Sequence, residues 1–306
     1  MTGTQDFIAD PRNAGLLVSV NGDLVPRDQA TVSVFDAGFS MGDGVWEGIR
    51  LHRGALTFLD AHLDRLFAGA AAIGLDIGMD RAALIAAIWR CLDANAMADG
   101  AHVRTMVTRG VKSTINQDPR NVIGPATVVI YAEYKTPPPW PPGTGLRLHT
   151  ASIRCTPAHM FDMRINSHSR LNLITALLEA IAAGADEALM LDPQDNVSSC
   201  NATNLFIVQN GVVRTSAGAF CFSGITRGHV IDLCRAHDIP LDVGDFPLGL
   251  AHAADEAFVT GTTGGVAPVR RIDHVVLPTT PGPITRGLGE LYGALKDADA
   301  AARPGS

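Results

Sequence analysis

The sequence predicts a mixed protein of the α+β (mixed α/β) class with two domains, and three observations lead to this prediction. The chain has 306 residues, which suits about two ordinary domains. Its hydrophobic fraction of 46% supplies enough apolar material for a sizeable core. Patterns typical of helices and strands alternate in both halves, and a proline-rich stretch separates them. We therefore expect domains at 1–135 and 146–306, joined by a linker at 136–145.

The first half contains clear turn and helix signals. In order, we expect a hairpin that turns at Asn21-Gly22, helices over 60–73 and 80–95, and strands over 102–109 and 126–134. Asp60 and Asp80 are typical N-cap residues for the two helices, and Gly74 is a typical stop. The linker that follows has five prolines among six consecutive residues, which excludes a helix or a central strand there.

The second half repeats this alternation of helices and strands. We expect a helix over 170–183, strands over 186–192 and 204–209, a hairpin at Asn210-Gly211, a helix over 226–237 that begins at Thr226, and a strand over 256–260. The first of these helices places four apolar residues at helical spacing, and we expect them to be buried: Leu171, Ile174, Leu177 and Leu178.

Composition and charge exclude several classes of protein. With 24 basic and 31 acidic residues the net charge is −7, and no basic run is present, so neither nucleic acid nor a membrane is an expected partner. The most apolar helix-length stretch, 82–92, is too short to span a bilayer. The N-terminal residues lack the pattern of a signal peptide. Five cysteines without metal-ligand spacing indicate reduced thiols and no metal site. We therefore expect a cytoplasmic protein.

Three segments have residues suited to bind phosphate. The stretch 223–226 directly precedes a predicted helix, whose first N–H groups favour an anion. The stretch 261–265 follows a predicted strand and combines glycines with two threonines. Arg50 is a possible third partner. Taken singly, each is more often a capped helix, a tight turn or a solvated arginine.

Taken together, these segments resemble the class IV aminotransferases, the fold type IV group of pyridoxal phosphate enzymes. The family's order of motifs extends over about residues 15 to 295, as GDGVWEGIR at 42–50, HLDRL at 62–66, ADEALMLD at 185–192, NLF at 204–206, GITR at 224–227, ADEAF at 254–258 and PGPIT at 281–285. No single motif carries the resemblance, and the whole series does.

The resemblance implies a small N-terminal domain, a larger C-terminal domain, an active site between them, and a homodimer. It also implies pyridoxal or pyridoxamine phosphate (PLP or PMP) as cofactor, and a small amino acid, keto acid or amine as substrate. Carried over by motif, the phosphate cup maps to Arg50, Ile225, Thr226, Thr262 and Thr263. Residues on the substrate side map to Met41, Trp46 and Arg104.

Two departures concern the reactive end of the family's site. The Schiff-base lysine lies about thirteen residues before an EA pair, and thirteen residues before Glu179 is Asn166. An amide cannot form an internal aldimine. The glutamate that pairs with the pyridine nitrogen is replaced by Ser199, a neutral hydroxyl that leaves the ring a weaker electron sink. Only three lysines occur in the chain, Lys112, Lys135 and Lys296.

Residues close to Asn166 offer replacement chemistry. His168 is a candidate general acid or base, and its alternative is a supporting hydrogen bond. Arg170 is a candidate anion partner, and its alternative is a salt bridge at a helix start. Two functions follow: an aminotransferase-like enzyme that binds the cofactor non-covalently, or a protein of the same fold that is a cofactor-independent enzyme or a ligand-binding pseudo-transaminase.

Overall fold

A computed structural model describes Gly3, Thr4 and residues 6–303, and the chain divides into two compact units. The N-terminal unit contains Ile8–Thr136, Ile165–Arg170 and the chain from Lys296 onward. The C-terminal unit contains the chain up to Phe7, Pro137–Arg164 and Leu171–Leu295. Each unit therefore draws on more than one stretch of sequence.

The N-terminal unit is built on a six-stranded antiparallel sheet in the order β2-β1-β6-β5-β3-β4. Its elements are β1 (Leu17–Val20), β2 (Asp23–Pro26), α1 (Ala37–Met41), β3 (Gly44–His52), β4 (Ala55–Leu56), α2 (Leu59–Ala72), α3 (Arg81–Ala94), β5 (Ala101–Thr108) and β6 (Thr127–Tyr134). Helices α2 and α3 pack on one face of the sheet. Their apolar stripes and the inward residues of the strands form one buried core that includes Leu63, Ile88 and Ile130.

The predicted turn and the second N-cap of this unit are confirmed. Asn21 and Gly22 both have positive φ, 51° and 94°, as the tight turn between β1 and β2 requires. The carboxylate of Asp80 accepts a hydrogen bond from the N–H of Ala83 at 2.8 Å and so caps α3.

The N-cap prediction for Asp60 is wrong. Helix α2 begins at Leu59, and the residue before it, Phe58, has a left-handed backbone with φ 54°. Asp60 lies inside the first turn, where its carboxylate pairs with Arg81 at 3.0 Å and with Arg303 at 2.6 Å. These partners are distant in sequence, so local pattern alone did not separate a cap from a first-turn acid.

The C-terminal unit contains a larger mixed sheet in the order β12-β11-β10-β13-β14-β7-β8-β9, with β15 paired to β14. Its elements are β7 (Leu146–Thr150), α4 (Leu171–Ala182), β8 (Glu187–Leu191), β9 (Val197–Cys200), β10 (Asn204–Gln209), β11 (Val212–Thr215), α5 (Ile225–Ala236), β12 (Leu241–Val243), α6 (Leu248–His252), β13 (Glu256–Gly261), β14 (Gly265–Ile272), β15 (Val275–Val276) and α7 (Pro283–Ala302), whose last residues belong to the N-terminal unit. Strand β7 is parallel to both of its neighbours, β8 and β14.

The centre of this sheet is apolar on both faces. Phe206 on β10 stacks on Phe258 on β13, with ring centroids 4.9 Å apart, and both side chains are fully buried. The predicted hairpin between β10 and β11 is confirmed, because Asn210 and Gly211 have φ of 51° and 77°. Within the proline-rich stretch, Trp140 packs against the core of this unit.

The burial predicted for helix α4 is wrong for most of its residues. Leu171, Ile174 and Leu178 are 76%, 53% and 60% exposed, and Leu177 is half-buried. The helix instead buries its small face, Ala176 and Ala180, against β7 and β8. Alanine permits closer approach to the sheet, and the helix carries apolar residues on two faces. Helical spacing does not reveal which of two apolar faces meets the sheet.

Two expectations from composition have structural counterparts. All five cysteines are free and buried. Across residues 3–4 and 6–303, no helix is long and apolar enough to cross a membrane.

Candidate active site

The three lysines of the chain all belong to the N-terminal unit. Lys112 is buried, and its Nζ donates a hydrogen bond to Asn116 O at 2.6 Å. Lys135 Nζ forms an ion pair with Glu133 at 3.1 Å. Lys296 is half-buried near the end of α7, and burial lowers its pKa. Lys112 and Lys135 are therefore held by local contacts.

The short segment 165–170 runs alongside strand β3. The N–H of Trp46 donates to Asn166 O at 2.9 Å, and the N–H of His168 donates to Gly44 O at 2.9 Å. This pairing buries Asn166, which is 3% exposed. The structure thus brings together Asn166, His168 and Arg170 with Trp46, all of which the sequence proposed as site residues.

Two arginines lie over the ring of Trp46. The guanidinium carbon of Arg104 lies 3.8 Å from the ring centroid, and that of Arg170 lies 5.2 Å from it. Such cation–π contacts are most favourable with tryptophan. Trp46 Nε1 donates to Ser167 O at 3.1 Å, which fixes the ring. Among the described residues, Arg104 Nε is buried without a hydrogen-bond partner.

Arg170 also makes polar contacts within its own segment. Its Nε donates to Ser167 O at 2.9 Å, and its Nη2 donates to Asn166 Oδ1. Burial, followed by the charges of Arg104 and Arg65, lowers the pKa of Arg170 to about 10. The guanidinium therefore stays charged at neutral pH in a region of surplus positive charge.

Glu47 is a buried carboxylate of this region that the sequence reasoning did not assign to the site. Its side chain is fully buried, and it accepts hydrogen bonds from His62 Nδ1 at 2.7 Å and from Arg65 Nε at 2.6 Å. Burial opposes the charged form, but the hydrogen bonds from Arg65 and His62 outweigh it, so the pKa of Glu47 falls to about 2. The signal was available, because all three residues lie in quoted motifs.

His168 has one defined tautomer. Its Nε2 lies 3.2 Å from Val45 O, and because a carbonyl only accepts, Nε2 carries the hydrogen. Nδ1 therefore holds the lone pair. Burial lowers the pKa of His168, which favours the neutral ring at pH 7. A neutral imidazole with a lone pair at Nδ1 is suited to accept a proton.

In the C-terminal unit, helix α5 begins with N–H groups that no side chain caps. Its N-cap is Gly224, and Ile225 and Thr226 follow. A Cβ on Gly224 would lie 2.1 Å from Asn204 Oδ1, so only glycine fits this approach. Thr226 is buried, and its hydroxyl lies 3.3 Å from the hydroxyl of Tyr292. These donors fit a phosphate ester.

The second candidate phosphate segment is the turn between β13 and β14. Thr262 and Thr263 form this turn and are half-buried. Just before it, the hydroxyl of Thr260 is buried and, within the described part of the chain, has no hydrogen-bond partner. Hydroxyl and turn N–H donors of this kind suit an anion.

The remaining sequence-predicted residues lie on β3 and α1 of the N-terminal unit. Arg50 is half-buried on β3, donates a hydrogen bond to Lys135 O, and has its pKa lowered by burial. Met41 is the last residue of α1 and is 40% exposed. The roles of both residues stay predictions.

Ser199 uses its hydroxyl within the C-terminal unit. It is buried on β9 and donates to Thr203 O at 2.9 Å, while Thr203 Oγ1 donates to Glu187 Oε2 at 2.7 Å. Burial raises the pKa of Glu187, against hydrogen bonds from Thr4 and Thr203. Cys200, next in sequence, is buried, and burial raises the pKa of its thiol well above the usual value. A buried thiol of this kind is inert.

Comparison with known proteins finds the same family along the chain. The sequence profile described as amino-transferase class IV matches residues 44–272. Branched-chain-amino-acid aminotransferase-like protein 1 of Arabidopsis thaliana is 38% identical over 94% of this chain, although the chain spans only about half of that relative, 52%. A putative branched-chain-amino-acid aminotransferase of Methanocaldococcus jannaschii is 36% identical, with 90% of this chain and 94% of the relative covered.

Solved structures give the same result for the fold. The T.th. branched-chain amino acid aminotransferase in complex with N-(5'-phosphopyridoxyl)-L-glutamate superposes with a TM-score of 0.84 at 30% identity, covering 95% of this chain and 96% of that one. The branched-chain aminotransferase of Thermoproteus uzoniensis with norvaline has a TM-score of 0.82 at 31% identity, covering 93% and 96%. The predicted mixed α/β fold of the fold type IV aminotransferases is thereby confirmed.

The Glu47 network predicts a pH-dependent loss of stability. Replacing Glu47 by Gln leaves Arg65 and His62 without their carboxylate, and we expect the free energy of unfolding at pH 7 to fall by about 3 kcal/mol. Because the folded-state pKa of Glu47 is about 2 and its ordinary value is 4.5, this contribution is fully present above pH 4.5 and is lost as the pH falls toward 2. Urea unfolding of both proteins from neutral to acid pH measures the difference.

Glu290→Gln is the matched control, because Glu290 is exposed on α7. We expect this control to change stability by less than about 0.5 kcal/mol at every pH. A difference between wild type and Glu47→Gln that stays constant down to the lowest pH would contradict a charged, paired Glu47.

Proposed function

The chain belongs to the class IV aminotransferase family, and on that premise we propose that it binds pyridoxal or pyridoxamine phosphate non-covalently and carries out amino-group chemistry. The proposed cup consists of Arg50, Ile225, Thr226, Thr262 and Thr263. The observation that carries the proposal is the uncapped start of α5 behind Gly224, beside a buried threonine. Donors of this type bind phosphate without further side chains.

The bound cofactor would supply an electron-withdrawing ring that acidifies the carbon next to a substrate nitrogen. The proposal gives the chain's own residues the tasks of binding and proton transfer. Arg104, with an unpartnered Nε, binds a substrate carboxylate. Trp46 provides an apolar surface next to it. His168 accepts and returns a proton at Nδ1, because its Nε2 is occupied by Val45 O. The substrate class is a small amino or keto acid, or an amine.

Asn166 and Ser199 favour a second candidate function, a cofactor-independent enzyme or a ligand-binding pseudo-transaminase of the same fold. Asn166 accepts a hydrogen bond from Arg170, and Ser199 donates its proton to a backbone carbonyl. Neither arrangement reproduces an amine or a carboxylate. In this alternative the cup would hold inorganic phosphate or another phosphate compound.

We also propose that the active protein is a homodimer. Helix α4 presents an exposed apolar row, Leu171, Ile174, Leu178 and Ile181, in a protein with only 18% charged residues. An apolar row of this kind typically marks a contact surface. The five buried free thiols favour a reducing compartment such as the cytoplasm.

Cofactor binding without a covalent bond is the first prediction of this proposal. After incubation with pyridoxal phosphate and dialysis, we expect the protein to retain an absorbance band in the near-ultraviolet or visible range, and borohydride followed by intact mass measurement to reveal no adduct. Thr226→Val removes one donor to a charged group and should weaken binding about 10- to 100-fold.

Thr144→Val is the matched control for this loss, because Thr144 is exposed in the proline-rich stretch. A borohydride-fixed adduct would show that a lysine captures the aldehyde and would overturn the lysine-less proposal. Absence of any retained band would favour the pseudo-transaminase.

Proton transfer by His168 is the second prediction. His168→Gln keeps an N–H donor for Val45 O but removes the basic nitrogen, so cofactor affinity should change less than about twofold. The rate of exchange of the substrate α-hydrogen with deuterated water should fall about 100-fold or more. Nuclear magnetic resonance with a panel of amino acids measures this exchange. An unchanged rate would assign His168 to a supporting hydrogen bond only.

Dimerisation through α4 is the third prediction. Ile174→Glu places a charge in the middle of the exposed apolar row, and we expect the mass measured by light scattering to change from dimer to monomer. Asp232→Glu on α5, an exposed residue that is already acidic, is the control and should leave the mass unchanged. A dimer that persists in Ile174→Glu would exclude this row as the interface.

A further inference from the structure

The side chain of Asn166 has a defined orientation. Its Oδ1 accepts a hydrogen bond from Arg170 Nη2. A guanidinium has donors and no acceptor, so the amide oxygen must face Arg170 and the amide nitrogen must face away from it. Among the hydrogen bonds of the described residues, none uses Asn166 Nδ2, although the residue is only 3% exposed. The buried amide therefore directs an unused N–H pair away from the arginine.

Arg170 is held firmly enough to fix this orientation. Its Nε donates to Ser167 O at 2.9 Å, and its guanidinium lies over the ring of Trp46 at 5.2 Å. The backbone of Asn166 is itself paired with the N–H of Trp46 at 2.9 Å. Rotation of the amide would place Nδ2 against the guanidinium, donor against donor, and is therefore disfavoured.

The surrounding charge strengthens the donor. A charged group that donates to the oxygen of an amide polarises the amide and makes its N–H a better donor. Arg104 and Arg65 add further positive charge, which lowers the pKa of Arg170. This environment favours an oxygen with partial negative charge next to Nδ2 and disfavours an ammonium group there.

We propose that Asn166 Nδ2 is a fixed hydrogen-bond donor for the aldehyde oxygen of pyridoxal phosphate, and that Arg170 is the residue that positions it. The inference rests on the proposed function, since it requires that the cofactor binds. It assigns a task to the position where the family has its lysine: binding of a carbonyl group in place of covalent capture. The chain is then selective for the aldehyde form over the amine form, pyridoxamine phosphate, which offers no oxygen at that carbon.

Equilibrium dialysis of the full chain with pyridoxal phosphate and, separately, with pyridoxamine phosphate tests the inference. The two compounds share ring and phosphate, so the ratio of their dissociation constants reports the group at one carbon. Wild type should prefer the aldehyde. Asn166→Asp replaces the outward N–H pair with an oxygen that only accepts, and the ratio should shift toward pyridoxamine phosphate about 10- to 100-fold.

Asn210→Asp is the matched control, because it makes the same chemical change in the exposed hairpin between β10 and β11. It should leave the ratio within about twofold of wild type. Asn166→Leu is the second variant, for the case that the buried aspartate does not fold. Leucine offers neither donor nor acceptor, and the preference for the aldehyde should disappear.

Two variants of Arg170 test its positioning role. Arg170→Met removes the donor to Asn166 Oδ1 and frees the amide to rotate, so the ratio should shift toward pyridoxamine phosphate. Arg170→Lys restores a charged donor and should recover part of the preference. A purely structural role would weaken both compounds equally and leave the ratio unchanged, which would overturn the positioning role.

The outcomes separate this inference from the proposed function. A wild-type chain that retains neither compound overturns the proposed function, and this inference with it. A wild-type chain that binds both compounds, with a ratio that Asn166→Asp changes less than about twofold, overturns only the assignment of Asn166.

Discussion

The candidate site of the N-terminal unit depends on the backbone pairing between segment 165–168 and strand β3. Two hydrogen bonds, from the N–H of Trp46 to Asn166 O and from the N–H of His168 to Gly44 O, join residues that are far apart in sequence. Each satisfies a backbone group that would otherwise be buried without a partner, which is costly. The pairing places the side chains of Asn166 and His168 beside Trp46.

A second constraint is the balance of charge around Trp46. Glu47 is fully buried and already engaged with Arg65 and His62. Arg104 and Arg170 add two positive charges over the face of the indole ring. Buried charges that lack nearby opposite charge are unfavourable, and a bound anion or a polarised carbonyl group compensates them. The arrangement suits ligands with carboxylate or carbonyl oxygens, and it gives a physical reason why a neutral amide is acceptable at position 166.

The two ends of the proposed cofactor site differ in how far they follow the family. At the phosphate end, the uncapped start of α5, the glycine at 224 and the threonines of the β13–β14 turn have the donor types that the family motif requires. At the reactive end, Asn166 and Ser199 replace an amine and a carboxylate with neutral groups. Both are buried, and both have a local hydrogen bond, to Arg170 and to Thr203 O. Each replacement is therefore accommodated by its neighbours.

The sequence by itself determined the mixed α/β class, the hairpins at Asn21-Gly22 and Asn210-Gly211, the cap at Asp80 and, through the order of its motifs, the family. These features depend on turn chemistry, periodicity and spacing, which are local. It did not determine the role of Asp60, whose partner Arg303 is distant along the chain, or the face of α4 that meets the sheet. The Glu47 network and the orientation of the Asn166 amide were likewise decided only by the tertiary structure. Both depend on which side chains meet across strands and segments, because a carboxylate or an amide acquires its pKa and its free donors from its neighbours in space.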